Sequence, residues 1–249
     1  QKLDPAGVSL VFATSYPGNP SSMFGHSFLK MTSRKNSDGK LNLLDWSLNY
    51  AAMVPDDENP FAFMYFGLAG GYSGQFALVP YYAKIEEYGY SEGRDIWEFD
   101  LALTPEEITA LVWSVWEIET NSHLKYFFFD ENCSYEVLTL LEAVRPALEI
   151  SSYFVHVIPG ETVRRVAEEP GLVKAVRMRP SLERRLRVVA GALSDSDQDL
   201  FEAARRGEGT KGLSGPSLQA YMLYLQAEKK RKEAKWSPAE EERLREALK

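Results

Sequence analysis

The chain has 249 residues, 45% of them hydrophobic and 12% aromatic, and a formal net charge of −8. That composition can bury a sizeable core and excludes a largely disordered chain. The acidic balance argues against a nucleic-acid partner, whose phosphates require clustered Lys and Arg.

Residues 8–14 read as a buried strand, closed by a turn-rich loop at 16–20. His26 opens a second strand over about 24–33, a polar hairpin loop follows at 33–40, and residues 41–50 form the returning strand. Proline breaks the pattern at 55 and 60. An aromatic, glycine-rich stretch then runs over 61–76, with residues 70–74 as a plain loop, since they lack the strand and helix that flank a phosphate-cradling glycine motif. Residues 78–90 and 94–101 read as strands flanking a short helix or loop. Thr104-Pro105-Glu106-Glu107 is a helix start with a capping residue, Pro at the first position and Glu at the third, and its helix extends to about Asn121. An aromatic strand or loop leads to Cys133, which opens a helix to about Leu148 with Val137, Leu140, Leu141 and Val144 on one face. Beyond residue 150 the texture becomes helical and rich in Arg and Glu, with breaks at 159–160, 170–171, 180, 207–215 and 237–238. The expectation is an α+β domain over 1–155 and a helical extension over 156–249.

Chemistry centres on Cys133, the only cysteine. A thiol at a helix N-terminus lies among unpaired backbone N–H groups and the positive end of the helix dipole, and both favour the thiolate. Cysteine catalysis also needs an imidazole base and a polar group that fixes its tautomer. Of the three histidines, His26 at a strand start is the candidate base. His123 in a linker reads as a solvated residue and His156 as structural. Pairing Ser33 with Lys40 across the hairpin sets His26 opposite Ser47, so the polar stripe Asp45, Ser47 and Asn49 shares its face. Asn49 is the first choice for the orienting residue, with Asp45 and Ser47 as reserves. Asp130, Glu131 and Asn132 are in place to cap the cysteine helix, and the Cys133 N–H with its first-turn neighbours is a candidate oxyanion hole. No short Cys or His spacing implies a metal, and no cofactor is expected.

The remaining features read as ordinary. The aromatics Tyr65, Phe66, Tyr72, Phe76, Tyr81 and Tyr82 are core residues, some of which could line a channel for an acyl chain. The basic run at 229–232 is the solvated face of a helix, with a membrane-surface role as its rival. No run of about 18 apolar residues is present to span a bilayer. The opening at Gln1, with no basic segment and apolar stretch behind it, is what a processed or trimmed N-terminus would leave.

Phe24-Gly25-His26-Ser27-Phe28-Leu29, Leu48-Asn49-Tyr50-Ala51-Ala52 and the segment from Phe127 to Tyr135 containing Asn132-Cys133, in that order, resemble the Lnb N-terminal periplasmic domain family. The likeness covers most of residues 8–150. The His-before-Cys order is similar to circularly permuted papain-like folds, the group of the NlpC/P60 relatives and the lecithin:retinol acyltransferase-like enzymes. The resemblance implies a periplasmic or cell-envelope location in a bacterium, possible association with a membrane surface, and a cysteine acyl-transfer site with Cys133 as nucleophile, His26 as base and Asn49 as the polar residue of an Asn-Tyr motif. Proteins of this type are associated with lipoprotein N-acylation, so the implied partners are a phospholipid acyl donor and a lipoprotein amine acceptor. The alternatives are a thiol hydrolase acting on peptidoglycan or lipid esters, and a non-catalytic binding domain. No transmembrane helices follow the domain within the sequence, so either they lie beyond Lys249 or this is a soluble branch of the family.

Overall fold

The computed structural model describes residues 4–16, 23–34, 44–55, 58–121, 124–127, 132–150 and 158–233. Seven strands form one sheet in the order β6-β4-β3-β2-β1-β5-β7. They are β1 (Pro5–Ala13), β2 (His26–Ser33), β3 (Trp46–Ala52), β4 (Tyr72–Pro80), β5 (Ile96–Leu101), β6 (Leu124–Tyr126) and β7 (Val173–Arg179). The ladders joining β1 to β6 are all antiparallel.

Strand alternation gives the sheet two different faces. Val8, Leu10, Leu29, Met31, Leu48, Tyr50, Phe76 and Phe99 point to one face and join a single core. That core is completed by α3 (Pro105–Asn121) through Ile108 and Leu111, and by α4 (Cys133–Val144) through Val137, Leu138, Leu140 and Leu141. The four apolar positions assigned to the cysteine helix thus lie on its inward side. Val144 is only partly buried, and the helix ends there, followed by a 3-10 turn at Pro146–Leu148.

The start of α3 carries the expected reciprocal cap: Thr104 Oγ1 accepts from Glu107 N at 3.2 Å, and Glu107 Oε2 accepts from Thr104 N at 2.7 Å. The same carboxylate receives a two-pronged contact from Arg145, with both N···O distances 2.6 Å, which ties the end of α4 to the start of α3. Arg145 Nη2 also donates to Ala102 O at 2.7 Å.

Three elements depart from expectation. The aromatic stretch forms a helix, α1 (Pro60–Ala69), whose N-cap Asn59 accepts from Ala62 N at 2.9 Å. Its uniformly apolar composition hides helical periodicity, and residues 70–74 become its C-cap and the start of β4 instead of a loop. Residues 81–85 form a short helix, α2 (Tyr81–Ile85), continued as a π-helix over Glu86–Ser91. In the Arg- and Glu-rich part, residues 173–179 form β7; its side chains are mostly exposed, as an edge strand allows.

The chain divides into two compact units, residues 1–85 with 96–178, and residues 86–95 with 179–249. This division lies well past the compositional change near 150–160. Val166 of α5 (Pro159–Glu168) and Leu172, just before β7, are buried in the sheet core, so this stretch belongs with the sheet.

The second unit contains α6 (Leu182–Gly191), α7 (Asp195–Arg205) and α8 (Gly215–Glu233). Leu182, Leu223 and Ala227 form its small core, with Tyr90, Leu186 and Val189 packed against them. Asp95 accepts from Ser181 N at 2.8 Å and from Arg184 Nη1 at 2.6 Å. In the basic run on α8, Lys230 pairs with Glu86 and Arg231 with Glu183 and Glu228, as expected of a solvated helix face. No helix among the described residues is long and apolar enough to cross a membrane. His123, His156, Asp130, Glu131, most of the β2–β3 loop and the break at 237–238 lie outside the described residues.

Candidate thiol site at one end of the sheet

The strand register places the candidate residues. Ala13 pairs with His26, and Lys30, not His26, pairs with Ser47. The expected His26–Ser47 pairing is therefore displaced by four positions, an even number that leaves facing unchanged. Continuing the register sets His26 beside Ala51, at the sheet end where β3 finishes, β4 begins and Tyr126 closes β6 through its pairing with Tyr72.

Cys133 lies at this same end. It is the first residue of α4 and 2% exposed. The neighbouring Tyr126 hydroxyl is hydrogen-bonded to both the backbone N–H and the thiol of Cys133. Burial, followed by the charge of Cys133 at close range, pushes that hydroxyl well above the usual phenol range, so Tyr126 keeps its proton. The Tyr126 ring stacks on Tyr50 with centroids 5.5 Å apart, and Tyr50 packs against Phe76 at 4.9 Å. Tyr50 can lie across β4 only because residue 74 is glycine: a Cβ there would sit 1.8 Å from the Tyr50 hydroxyl. That hydroxyl donates to Lys125 O at 3.3 Å, fastening β6 from beneath.

The first turn of α4 is fully engaged. Asn132 Oδ1 accepts from Ser134 N at 2.9 Å and Tyr135 N at 3.3 Å, and Asn132 O accepts from Glu136 N at 3.1 Å. With Cys133 N–H held by Tyr126, the backbone donors expected to make an oxyanion hole are already used. The donor facing the sulfur is the Tyr126 hydroxyl, a residue the sequence reading passed over. Its only signal was an aromatic just ahead of the Asn-Cys helix start.

His26, at the first position of β2, is half-buried and its ring stacks on Phe28, centroids 5.8 Å apart. Gly25 turns the chain into the strand with φ +101°, where a Cβ would also strike the Phe12 ring at 2.5 Å. Alternation directs His26 to the face of Phe28 and Lys30, opposite the face covered by α4. Ser27, fully buried, is the β2 residue that turns toward the helices. The structure therefore brings His26 and Cys133 to one sheet end but assigns their elements to opposite faces.

Asn49, Ser47 and Asp45 share the His26 face, all buried. Asn49 Nδ2 donates to Ser47 Oγ at 3.1 Å and Ser47 O at 3.3 Å, while its Oδ1 meets no donor among the described residues. Ser47 Oγ donates to Val79 O at 2.8 Å. Asp45 accepts from Ser33 N at 3.2 Å and lies 3.7 Å from Lys30 Nζ. Both reserves thus have structural work, and Asn49 keeps an open acceptor.

Lys30 leads into a buried polar cluster on this face. Its ammonium donates to Glu98 Oε2 at 2.9 Å and stands 4.9 Å above the Tyr81 ring, while Tyr81 Oη donates to Glu98 Oε1 at 2.7 Å. Burial tends to raise the Glu98 carboxyl, but the charge and hydrogen bond of Lys30, the Tyr81 hydroxyl and Arg177 together hold it below its ordinary value.

The helix-covered face also contains a cavity of about 340 Å³ lined by Met31, Leu48, Phe76, Leu78, Val112 and Val115. Of the aromatics named for an acyl channel only Phe76 lines it; Tyr65, Phe66 and Tyr82 are exposed, and Tyr72 and Tyr81 are buried.

An antiparallel sheet with a buried thiol at the N-terminus of a helix on one face defines the architectural class. The sequence profile described as the Lnb N-terminal periplasmic domain matches residues 1–169, and the chain belongs to that family. The family places it in the bacterial periplasm. No curated protein and no solved structure matches the chain.

Proposed function

We propose that this domain is a cysteine acyltransferase with Cys133 as nucleophile on a permuted papain-like arrangement. The observation that carries the reading is the pairing of Cys133 with the Tyr126 hydroxyl at the head of α4. A base removes the thiol proton, the thiolate attacks an ester carbonyl, and the Tyr126 O–H donates to the oxygen that becomes negative. The alcohol leaves with the proton and a thioester remains on Sγ. An amine then attacks the thioester, releasing the N-acyl product and restoring the thiol. The donor in this reading is a phospholipid and the acceptor the α-amine of a lipoprotein.

His26 is the base in this reading. It is the first residue of β2, at the sheet end that also holds Tyr126. Asn49 Oδ1 is the acceptor that would hold an imidazole N–H.

Intact mass spectrometry after incubation with phospholipid vesicles tests the reading. A hydroxylamine-labile acyl adduct is expected on the parent chain and not on Cys133→Ala. Tyr126→Phe should slow its formation about 10²-fold, and His26→Ala by about 10² or more. An adduct that persists in Cys133→Ala eliminates the proposal. Turnover with water alone at the rate seen with an amine would make the protein a thiol hydrolase instead.

A further inference from the structure

Large apolar side chains are exposed from three separate segments at the sheet end that holds Cys133. Met23 and Phe24 precede β2, Met53 follows β3 at 58% exposed, and α1 joins β3 to β4. On α1 the exposed residues fall at helical spacing: Phe61 at 89%, Met64, Tyr65 at 67% and Leu68 at 48% form one stripe. On the other side of α1, Phe63 is partly buried and Phe66 is still 41% exposed, both with rings 6.1 Å from the Tyr72 ring. Tyr72 is the ladder partner of Tyr126, whose hydroxyl touches Cys133. The stripe therefore rides on an element packed against the ladder partner of Tyr126.

From this arrangement we infer that α1, with Met53 and Phe24 beside it, is a docking surface for a lipid bilayer. The chemistry of the patch selects that occupant. Residues 23–25, 51–55 and 59–76 contain no Asp, Glu, Lys or Arg. The exposed stripe offers a single polar group, the Tyr65 hydroxyl, and meets charge in the sequence only at the 56–58 end, so it lacks the continuous polar rim that fixes register in a protein interface. Phe, Met and Leu with a peripheral Tyr suit the boundary between acyl chains and headgroups, where no register is needed. The acidic run at 56–58 and the net charge of −8 disfavour an anionic surface, so attachment is apolar and survives salt. The inference stands on exposure and composition and does not depend on the thiol chemistry.

Co-sedimentation of the full chain with phosphatidylcholine vesicles, with and without phosphatidylglycerol, tests it. Binding to the zwitterionic vesicles is expected to persist at high salt and to weaken when phosphatidylglycerol is added. A Phe61→Ser/Tyr65→Ser double variant should lose at least about tenfold in partitioning; these side chains are exposed, so its thermal unfolding should match the parent. Cys133→Ala should bind like the parent, which separates this result from failure of the acyltransferase reading. Absence of vesicle binding overturns the inference. So does vesicle binding that the double variant retains, or a concentration-dependent dimer in sedimentation equilibrium that it abolishes, which would assign the stripe to a second copy of the chain.

Discussion

The two faces of this sheet are built from the same strands by opposite means. The helix-covered face is apolar, and its specific feature is a line of rings, Phe76, Tyr50 and Tyr126, ending at a sulfur atom. The other face buries ionised groups: Lys30, Glu98 and Asp45, with Asp100 and Arg177 at its margin. The ring face depends on shape and the charged face on charge balance, so different perturbations should disable each.

The largest effect is expected from breaking the charge balance. Lys30→Met leaves Glu98 buried without its main cation and should cost about 3–5 kcal/mol in urea unfolding, whereas Lys30→Met combined with Glu98→Gln should recover much of that loss. Acid acts on the same face. Because the folded-state value of the Glu98 carboxyl is depressed, its stabilisation is fully present above its ordinary value of 4.5 and is lost as pH falls through the lower folded value. Melting temperature should therefore drop below about pH 4.5, with a shallower drop in Glu98→Gln.

On the ring face the sharpest change is Gly74→Ala. The new methyl collides with Tyr50, so a loss of about 1–3 kcal/mol is expected. Displacing Tyr50 also shifts Tyr126, so acyl-adduct formation should fall by more than the stability loss explains. Glu107→Gln, which weakens the grip of Arg145 on the start of α3, should cost about 1–2 kcal/mol. Thr104→Ala, removing one cap hydrogen bond, should cost about 1 kcal/mol in the same unfolding experiment.

Much of this contrast was legible in the residues. Alternation in β2 and β3 predicted a polar stripe at Asp45, Ser47 and Asn49, and the capping box at Thr104 and Glu107 formed as read. Facing survived a register error because displacement by an even number of residues preserves parity. What escaped was set by tertiary partners. Lys30 and Glu98 lie on strands separated by β1, so no local pattern pairs them. The role of Tyr126 depends on a ring from β3 passing over a glycine in β4. Helix α1 was hidden because its apolar residues surround the axis, leaving no polar side to mark its period.

The brevity of β6 has a consequence of its own. Three residues and one phenol from below fasten the segment that carries Tyr126 to the rim of the sheet. Were that segment to lift away, the sulfur would lose its hydroxyl neighbour. Tyr50→Phe, which removes that phenol, should therefore quicken the labelling of Cys133 by iodoacetamide.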